Sequence, residues 1–303
     1  MRIIELAGGD AVLCVAPELG GAIVAYTWRQ RPVLRPTPAS ALATSTVRLA
    51  SCYPLVPYSN RIRNATLAFG GREYALERNA GAHAHAIHGV GWQRAWSIDA
   101  AEAARAQLTL AHDPRTAGAG AWPWPFRATQ TFELNSTETV TVLSATLTLA
   151  NTGAEPFPFG LGWHPFFAAD AATTVGFDAR AVWQNDATQL PVQRMEVPTA
   201  LPFRDARPLD GLAIDNVFTG WSGRADVTNA STGIRASLSA DRACGCLVVY
   251  APPRADFIAL EPVTHETDAF NRSAAGARDV GFRTLAPGCA FSCTMRVAAS
   301  ASD

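Results

Sequence analysis

Two ionisable residues, His164 and Glu261, occupy sequence settings that favour acid–base chemistry. Side chains alternate between the two faces of an extended strand, so His164 shares a face with Gly160 and Gly162. These glycines leave room beside the imidazole. Pro165 cannot donate a ladder hydrogen bond, so we expect the strand to end at His164, with the ring at the edge of a pocket.

Glu261 repeats this arrangement on a second predicted strand, Phe257–Glu261. It follows an apolar run, shares a face with Ala259 and directly precedes Pro262. A carboxylate in this position is costly to bury without a partner or a function. A lone histidine near aromatic residues is more often a hydrogen-bonded structural residue than a catalyst. A carboxylate at a second strand end favours a paired acid and base instead.

Asn60 and Arg61 are the next polar candidates, and they follow the stiff segment Tyr53–Pro57. Their amide and guanidinium groups are suited to holding hydroxyl oxygens with fixed donors. A surface loop with solvated arginines would explain the same pattern. Asp215 is flanked by apolar residues, and the alternative for this acid is an ordinary turn at residues 215–216.

Three further histidines, His83, His85 and His88, lie close together in the sequence. On a strand, His83 and His85 would share one face and His88 the other, which is poor spacing for a single metal ion. Gly89 allows a sharp turn that exposes the ring of His88. His265 follows Pro262 and is expected in a loop.

The pattern of the chain predicts an all-β fold, a large antiparallel β-sandwich. Short β patterns recur with turn residues between them, and no window shows an amphipathic helical period of helical length. The clearest strands are 129–134 and 139–150, and Gly70-Gly71 indicates a tight hairpin. No repeat and no linker-like change in composition interrupts the chain, so residues 1–303 are expected to form one domain.

Composition narrows the class of function. The 303 residues are 48% hydrophobic and 17% charged, which indicates a large core, and the net charge of −1 argues against nucleic acid or an anionic membrane as a partner. The chain has no lysine, which excludes Schiff-base chemistry and a P-loop lysine. The six cysteines form no C-x-x-C pair and no signal peptide is visible, so reduced thiols and a cytoplasmic location are expected.

Five segments occur in the same order as the motifs of a known family, and together they cover nearly the whole chain. The sequence resembles the aldose 1-epimerase (galactose mutarotase) family. The matching segments are Pro57–Ile62, Ile87–Gly89, Gly162–Phe167, Asp215–Thr219, and Leu260–Pro262 with Asp268–Asn271.

The resemblance implies the galactose-mutarotase-like β-supersandwich and interconversion of the anomers of a free sugar. It matches Glu261 to the family's general base, His164 to its general acid and His88 to its second active-site histidine. Arg61 and Asp215 match contacts to substrate hydroxyls. The sequence departs from galactose-preferring members around His164 and Glu261, so the preferred sugar stays open.

The residue chemistry fits this reaction. Opening a cyclic hemiacetal requires one base at the anomeric hydroxyl and one acid at the ring oxygen, which we expect on opposite sides of the sugar ring. A nearby carboxylate would favour the imidazolium that His164 needs. Trp163, Trp92 and Trp221 are candidates to lie against the apolar face of the sugar. No metal or organic cofactor is required.

Two alternatives remain open. Asp215 and Glu261 could be the carboxylate pair of a glycoside hydrolase, for which their separation would be diagnostic. The same scaffold could also be a sugar sensor without catalysis, because a fold does not fix a function. For an epimerase or a sensor the expected partner is a small-molecule monosaccharide, whereas a hydrolase would need a cleft open to a sugar chain.

Overall fold

The structure is a computed structural model, and it describes residues 1–118, 120–198, 203–253 and 256–302. Within these ranges the chain is built from strands β1 to β27, and its helices have one or two turns. The strands are, in chain order, Ile4–Gly8, Ala11–Ala16, Ala22–Trp28, Arg31–Pro32, Pro54–Leu55, Arg61–Ile62, Thr66–Phe69, Arg72–Ala75, Ala86–Ile87, Ser97–Ala101, Arg105–His112, Phe126–Ser136, Val140–Asn151, Phe157–Phe159, Gly162–Trp163, Phe166–Ala168, Thr174–Phe177, Ala181–Asn185, Pro191–Glu196, Arg207–Pro208, Ile214–Thr219, Arg224–Asn229, Ile234–Ala240, Cys246–Ala251, Phe257–Val263, Arg283–Leu285 and Ala290–Ala301. The α-helices are α1 (Ala39–Thr44), α2 (Pro114–Ala117) and α3 (Ala269–Ala274), and 3₁₀ turns occur at Val47–Leu49, Arg63–Ala65 and Gly91–Gln93.

Two large antiparallel sheets dominate the fold. The nine-stranded sheet has the order β10-β11-β12-β13-β27-β23-β22-β17-β20, and the eight-stranded sheet has the order β19-β18-β21-β24-β25-β15-β5, with β16 also paired to β25. A four-stranded sheet, β1-β2-β3-β4, and three two-stranded pairs complete the described part of the chain. The expected all-β antiparallel sandwich is confirmed.

The long strands form where the sequence alternates aliphatic and polar residues. In β13 every second residue is buried, including Leu143 and Leu147. The intervening Thr146 faces outward and shares a hydroxyl hydrogen bond of 2.9 Å with Thr294 on β27. This period of two puts one face of the sheet into the core and leaves the other polar.

Aromatic residues from the two large sheets meet in the core between them. Phe132 of β12 packs edge-to-face against Trp163 of β15, with ring centroids 6.0 Å apart. Phe177 of β17 packs in the same way against Phe218 of β21, at 4.9 Å. The main cluster of buried residues draws on the chain from Ile4 to Ala299. A continuous core of this kind is what one domain would have. The single-domain organisation stays a prediction.

Two local predictions differ in outcome. The Gly70-Gly71 hairpin between β7 and β8 is confirmed, because both glycines have positive φ and close the turn. Asp215 does not lie in a turn. It belongs to β21, whose residues pair with β24 along their full length, and it faces Tyr250 across that ladder. Among the described residues, no helix has the length and apolar character needed to cross a bilayer.

Candidate active site

His164 lies in the short break between β15 and β16. β15 ends at Trp163, as the following proline predicts, and the His164 N–H donates to the carbonyl of Tyr53 at 3.0 Å. The chain then passes Pro165 and pairs again with β25 from Phe166 onward. The imidazole is therefore held at an interruption in the eight-stranded sheet.

Glu261 faces this interruption from the neighbouring strand. We expected the strand to end at Glu261, and this was wrong: β25 continues through Pro262 to Val263. Along β25 the partner changes from β16, which pairs with residues 257–259, to β15, which pairs with Val263. Pro262 lies in the gap between these two partners, where its missing N–H leaves no ladder bond unmade.

The two side chains are in direct contact. Nε2 of His164 lies 3.1 Å from Oε1 of Glu261. The residues are only 6% and 3% exposed, respectively, yet both line the same cavity. This corrects the expectation that the acid and base lie on opposite sides of a sugar ring, because no ring fits between atoms at hydrogen-bonding distance.

Burial sets the protonation of this pair. It lowers the pKa of His164 to about 3, with the charges of Arg35, Arg61 and Arg48 adding to the effect. Burial also raises the pKa of Glu261 well above its usual value, and Asp215 contributes in the same direction. Burial therefore favours the uncharged pair, with the shared proton on Glu261 and a neutral imidazole, and it opposes the imidazolium expected from the sequence.

The cavity has a volume of about 440 Å³ and brings together residues from distant parts of the chain. Its size lies within the range of small-molecule sites. Six of the seven predicted site residues line it, and these are Asn60, Arg61, His88, His164, Asp215 and Glu261. Side chains that are far apart in the sequence thus provide the polar atoms of a cavity of monosaccharide size.

His88 presents one ring nitrogen to the cavity because the backbone N–H of Asn60 binds the other. It has a φ of 61°, and its Nδ1 accepts the Asn60 N–H at 3.1 Å. Burial lowers the pKa of His88 well below its usual value. The ring is therefore neutral, with its proton on Nε2, and it lies edge-on to His164 at 5.4 Å between centroids. His88 can donate to a ligand oxygen.

Asn60 and Asp215 hold the guanidinium of Arg61 at the cavity. Oδ1 of Asn60 accepts from the Arg61 N–H at 2.9 Å and from its Nη1 at 3.2 Å. Nη2 of Arg61 donates to Oδ2 of Asp215 at 3.3 Å. This arrangement leaves donors and acceptors side by side, as recognition of vicinal hydroxyl groups requires.

The structure does not place the predicted tryptophans at the cavity. Trp163 is 1% exposed and packs on Phe132 between the sheets, so it points away from His164 and is a core residue. Trp92 is buried behind Tyr53, with its ring stacked on the tyrosine at 5.6 Å. Trp221 borders a different depression. Alternation along a strand already placed Trp163 on the face opposite His164.

The remaining histidines have separate roles. His83 is exposed and lies at the cavity, whereas His85 and His265 hold the main chain of residues 59–64. Nδ1 of His85 accepts the Asn64 N–H at 3.0 Å, and Nε2 of His265 accepts the Ser59 N–H at 3.1 Å. With His88, three imidazoles accept backbone N–H groups from this one segment, which carries Arg61. No spacing of histidines in the sequence indicates that three of them support one segment.

Gly160 makes room for His265 and not for His164. A Cβ added at Gly160 would lie 1.8 Å from Cδ2 of His265. Gly162 instead allows close approach of β25, since its added Cβ would meet Val263 at 2.7 Å. The prediction that both glycines clear space beside His164 was therefore wrong.

Aromatic residues that sequence reasoning missed form part of the cavity wall. Tyr53 lies 4.6 Å from the imidazole of His164, and Phe166 stacks on the same ring at 4.4 Å, measured between ring centroids. Phe257, Tyr250 and Arg35 also line the cavity. Phe166 could have been found because it lies two residues after His164. Phe257 could have been found because it shares a strand face with Glu261.

The described residues include one group with the geometry to bind a metal ion. The ligand atoms of His88, His164 and Glu261 lie within 4.8 Å of one another. Two histidines and a carboxylate are a known metal-binding set. The prediction that the protein uses no metal stays a prediction, and measuring activity after dialysis against EDTA would test it.

The chain is similar to several known proteins. The uncharacterized protein YphB of Escherichia coli (strain K12) is 32% identical over 297 residues, which are 95% of this chain and 95% of that protein. The solved structure of a candidate aldose 1-epimerase from Escherichia coli K12 superposes with a TM-score of 0.87 at 29% identity, covering 99% of both chains. The galactose 1-epimerase of Lactobacillus acidophilus NCFM has a TM-score of 0.80 at 17% identity, covering 100% of this chain and 96% of that one, and it shows the same fold.

A sequence profile of the aldose 1-epimerase family also matches residues 2–298, nearly the whole chain. The profile and the YphB alignment both cover nearly the whole chain, and the superposed structures share its fold. On these grounds the chain is a member of the aldose 1-epimerase family.

Proposed function

We propose that the protein is an aldose 1-epimerase that interconverts the α and β anomers of a free sugar. The observation that carries the proposal is the 3.1 Å contact between His164 and Glu261 on the wall of a cavity of monosaccharide size. Oε2 of Glu261 is buried without a hydrogen-bond partner among the described residues, so this pair can accept a further polar group.

Adjacent acid and base groups suit this reaction. The anomeric hydroxyl loses a proton while the ring oxygen gains one, and both oxygens are bonded to the anomeric carbon. Two protein atoms at hydrogen-bonding distance can therefore each reach one of them. Glu261 takes the proton of the hydroxyl and His164 protonates the ring oxygen, which opens the ring to the aldehyde. Rotation about the adjoining carbon–carbon bond and closure with the roles reversed give the other anomer.

Substrate binding prepares the charges for this step. Burial by itself favours the uncharged pair, with the proton on Glu261. A bound sugar brings hydroxyl donors to the carboxylate, which favours its ionised form and shifts the proton to His164. Nε2–H of His88 and the Arg61–Asp215 pair contact other sugar oxygens and fix the orientation.

The contact with His164 also bears on the hydrolase alternative. A glycoside hydrolase needs two carboxyl groups that act independently across a cleft. Here Asp215 is paired with Arg61, and the group beside Glu261 is an imidazole. A hexose substrate and a cytoplasmic location belong to the proposal, and the six free cysteines support a reducing compartment.

Polarimetry tests the proposal. Freshly dissolved aldoses should equilibrate faster with the protein than in buffer alone. Glu261→Gln and His164→Asn should each lower kcat by about 10²–10⁴ with a small effect on KM, because each removes one proton-transfer group. Glu73→Gln, at an exposed acid of β8, is the matched control and should keep full activity.

Two results would count against the proposal. Full activity of Glu261→Gln would remove Glu261 from the base role. No acceleration for any aldose, combined with sugar binding detected by calorimetry, would identify a binding protein instead.

A further inference from the structure

Arg35 is a fixed, buried cation on the wall of the active-site cavity. The residue is 8% exposed, and its guanidinium packs against two phenyl rings, 4.0 Å from the centroid of Phe166 and 4.5 Å from that of Phe257. One edge is held by the main chain, since Nη2 donates to the carbonyl of Ala50 at 3.0 Å. The Arg35 N–H also donates to the Phe166 carbonyl at 2.7 Å, so backbone and side chain are both constrained.

No carboxylate in the described part of the chain lies within salt-bridge distance of this cation, and Asp256 opposes part of its charge from farther away. None of the ion pairs found there includes Arg35, and its Nε is buried without a hydrogen-bond partner. Burial lowers the pKa of the Arg35 guanidinium, which shows the cost of desolvating its charge. Buried arginines are ordinarily compensated by a paired anion. A ligand in the cavity can supply that anion.

The cavity as a whole carries excess positive charge. Three arginines line it, and the charge of Arg61 is offset by Asp215. Within the lining, Arg35 and Arg48 are then opposed only by Glu261, and Asp256 outside the lining offsets part of the Arg35 charge. The complete chain has a net charge of −1, so this positive potential is local to the cavity. Such a potential selects and steers anionic ligands.

Arg35 and His164 both pack against the ring of Phe166. The imidazole of His164 stacks on Phe166 with 4.4 Å between centroids, and the guanidinium of Arg35 lies over the same ring at 4.0 Å. Both groups cannot occupy one face, so the phenyl ring separates them. Arg35, His164 and Glu261 nevertheless line the same cavity, so one ligand can contact the acid–base pair and Arg35 through different atoms.

We propose that the natural substrate is an aldose derivative with an anionic oxygen group, a carboxylate or a phosphate, on a carbon remote from the anomeric centre, and that Arg35 binds this group. The inference rests on the proposed function and names its substrate class. A guanidinium offers parallel N–H donors that match the oxygens of either anion, and the neighbouring Arg48 adds a second charge.

The test compares matched sugars: glucose, glucuronate and glucose 6-phosphate. Anomer exchange is followed by NMR with buffer blanks subtracted. A charged hydrogen bond of about 1.5–3 kcal/mol predicts a kcat/KM roughly 10–100-fold higher for at least one anionic sugar than for glucose. Comparing glucuronate with glucose 6-phosphate decides between carboxylate and phosphate. Arg35→Gln should reduce this preference at least tenfold, and Arg35→Lys should reduce it less.

Arg29→Gln is the matched control, because Arg29 also stacks on an aromatic ring, 4.5 Å from the centroid of Trp28, but lies outside the cavity. It should keep the preference unchanged. Should the Arg35 variants fail to fold, competition on the wild-type protein replaces them. Inorganic phosphate should then inhibit glucose exchange competitively.

Faster exchange of glucose than of both anionic sugars would overturn the inference and leave the epimerase proposal intact. So would an undiminished preference in Arg35→Gln, or the absence of phosphate inhibition. If no sugar is exchanged, the epimerase proposal fails, and the anion site is then decided by thermal shift. Glucose 6-phosphate or glucuronate should raise Tm more than glucose does, and equal shifts would refute the site.

Discussion

Replacing Gly160 with alanine should disrupt the support of the 59–64 segment. The added Cβ would lie 1.8 Å from Cδ2 and 2.3 Å from Nε2 of His265. The ring cannot turn away, because it is buried and is held between the Glu266 carbonyl at 2.7 Å and the Ser59 N–H at 3.1 Å. The backbone of Gly160 is not in the left-handed region, so the steric overlap alone causes the effect.

The structure gives the magnitude. Inserting a methyl group into a packed site costs about 1–3 kcal/mol, and leaving the buried Ser59 N–H without its acceptor costs about 1–3 kcal/mol more. The free energy of unfolding should fall by roughly 2–6 kcal/mol, and Tm by roughly 3–9 °C. Because Asn60 and Arg61 follow Ser59 directly, kcat/KM should also fall, by about 10–100-fold.

Thermal and urea unfolding measure the first effect and polarimetry the second. Gly245→Ala is the control, because a Cβ there meets nothing within 4 Å and the residue is exposed. Its stability should stay within about 0.5 kcal/mol of the wild-type value. In the double variant Gly160→Ala, His265→Ala the overlap is removed, so its cost should be smaller than the sum of the single costs by about 0.5–3 kcal/mol. A Gly160→Ala protein that melts like the wild type, or costs that simply add, would refute the reasoning.

Two further predictions concern pH and substrate affinity. Burial lowers the pKa of His265 from 6.5 to about 4, so the unfolded chain binds this proton first as pH falls, and stability declines from pH 6.5 toward 4. His265→Gln should lose about 2–3 kcal/mol less than the wild type between pH 7 and pH 4.5, as measured by urea unfolding, and equal losses would contradict this origin. Arg61→Gln should raise KM about 10–100-fold, because it removes a charged donor. The charge of Arg61 lowers the pKa of Glu261, so its loss should also move the acid limb of kcat/KM to higher pH. Arg63→Gln, whose guanidinium pairs with Asp268 outside the cavity, should change neither quantity.

Much of the strand framework could be predicted from the sequence. Alternation of aliphatic and polar residues located β12, which proved longer than the predicted 129–134, and β13, which is shifted by one residue from the predicted 139–150. The same local rules predicted a strand end at His164, because a proline follows it, and the strand ends one residue earlier, at Trp163. These features depend on neighbours along the chain, which the sequence displays directly.

The composition of the site was also largely visible, since the ordered motifs identified six residues that line one cavity. Their mutual geometry was not. The contact between His164 and Glu261 exists because β25 changes partner from β16 to β15 opposite the break that contains His164. Pro262 pairs with Leu247 of β24 on one side and lies between β15 and β16 on the other, so the strand continues, and the sequence does not show which side has a partner.

What only the tertiary structure decided follows from contacts between residues far apart in the chain. It gave Gly160 its neighbour His265, turned Trp163 into the core and placed Arg35 beside Phe166. It also set the protonation of the catalytic pair, since a pKa depends on burial and on the charges that folding brings near. The sequence by itself determined which chemical groups are present and which strands carry them, whereas packing decided the distances and the local polarity on which their chemistry depends.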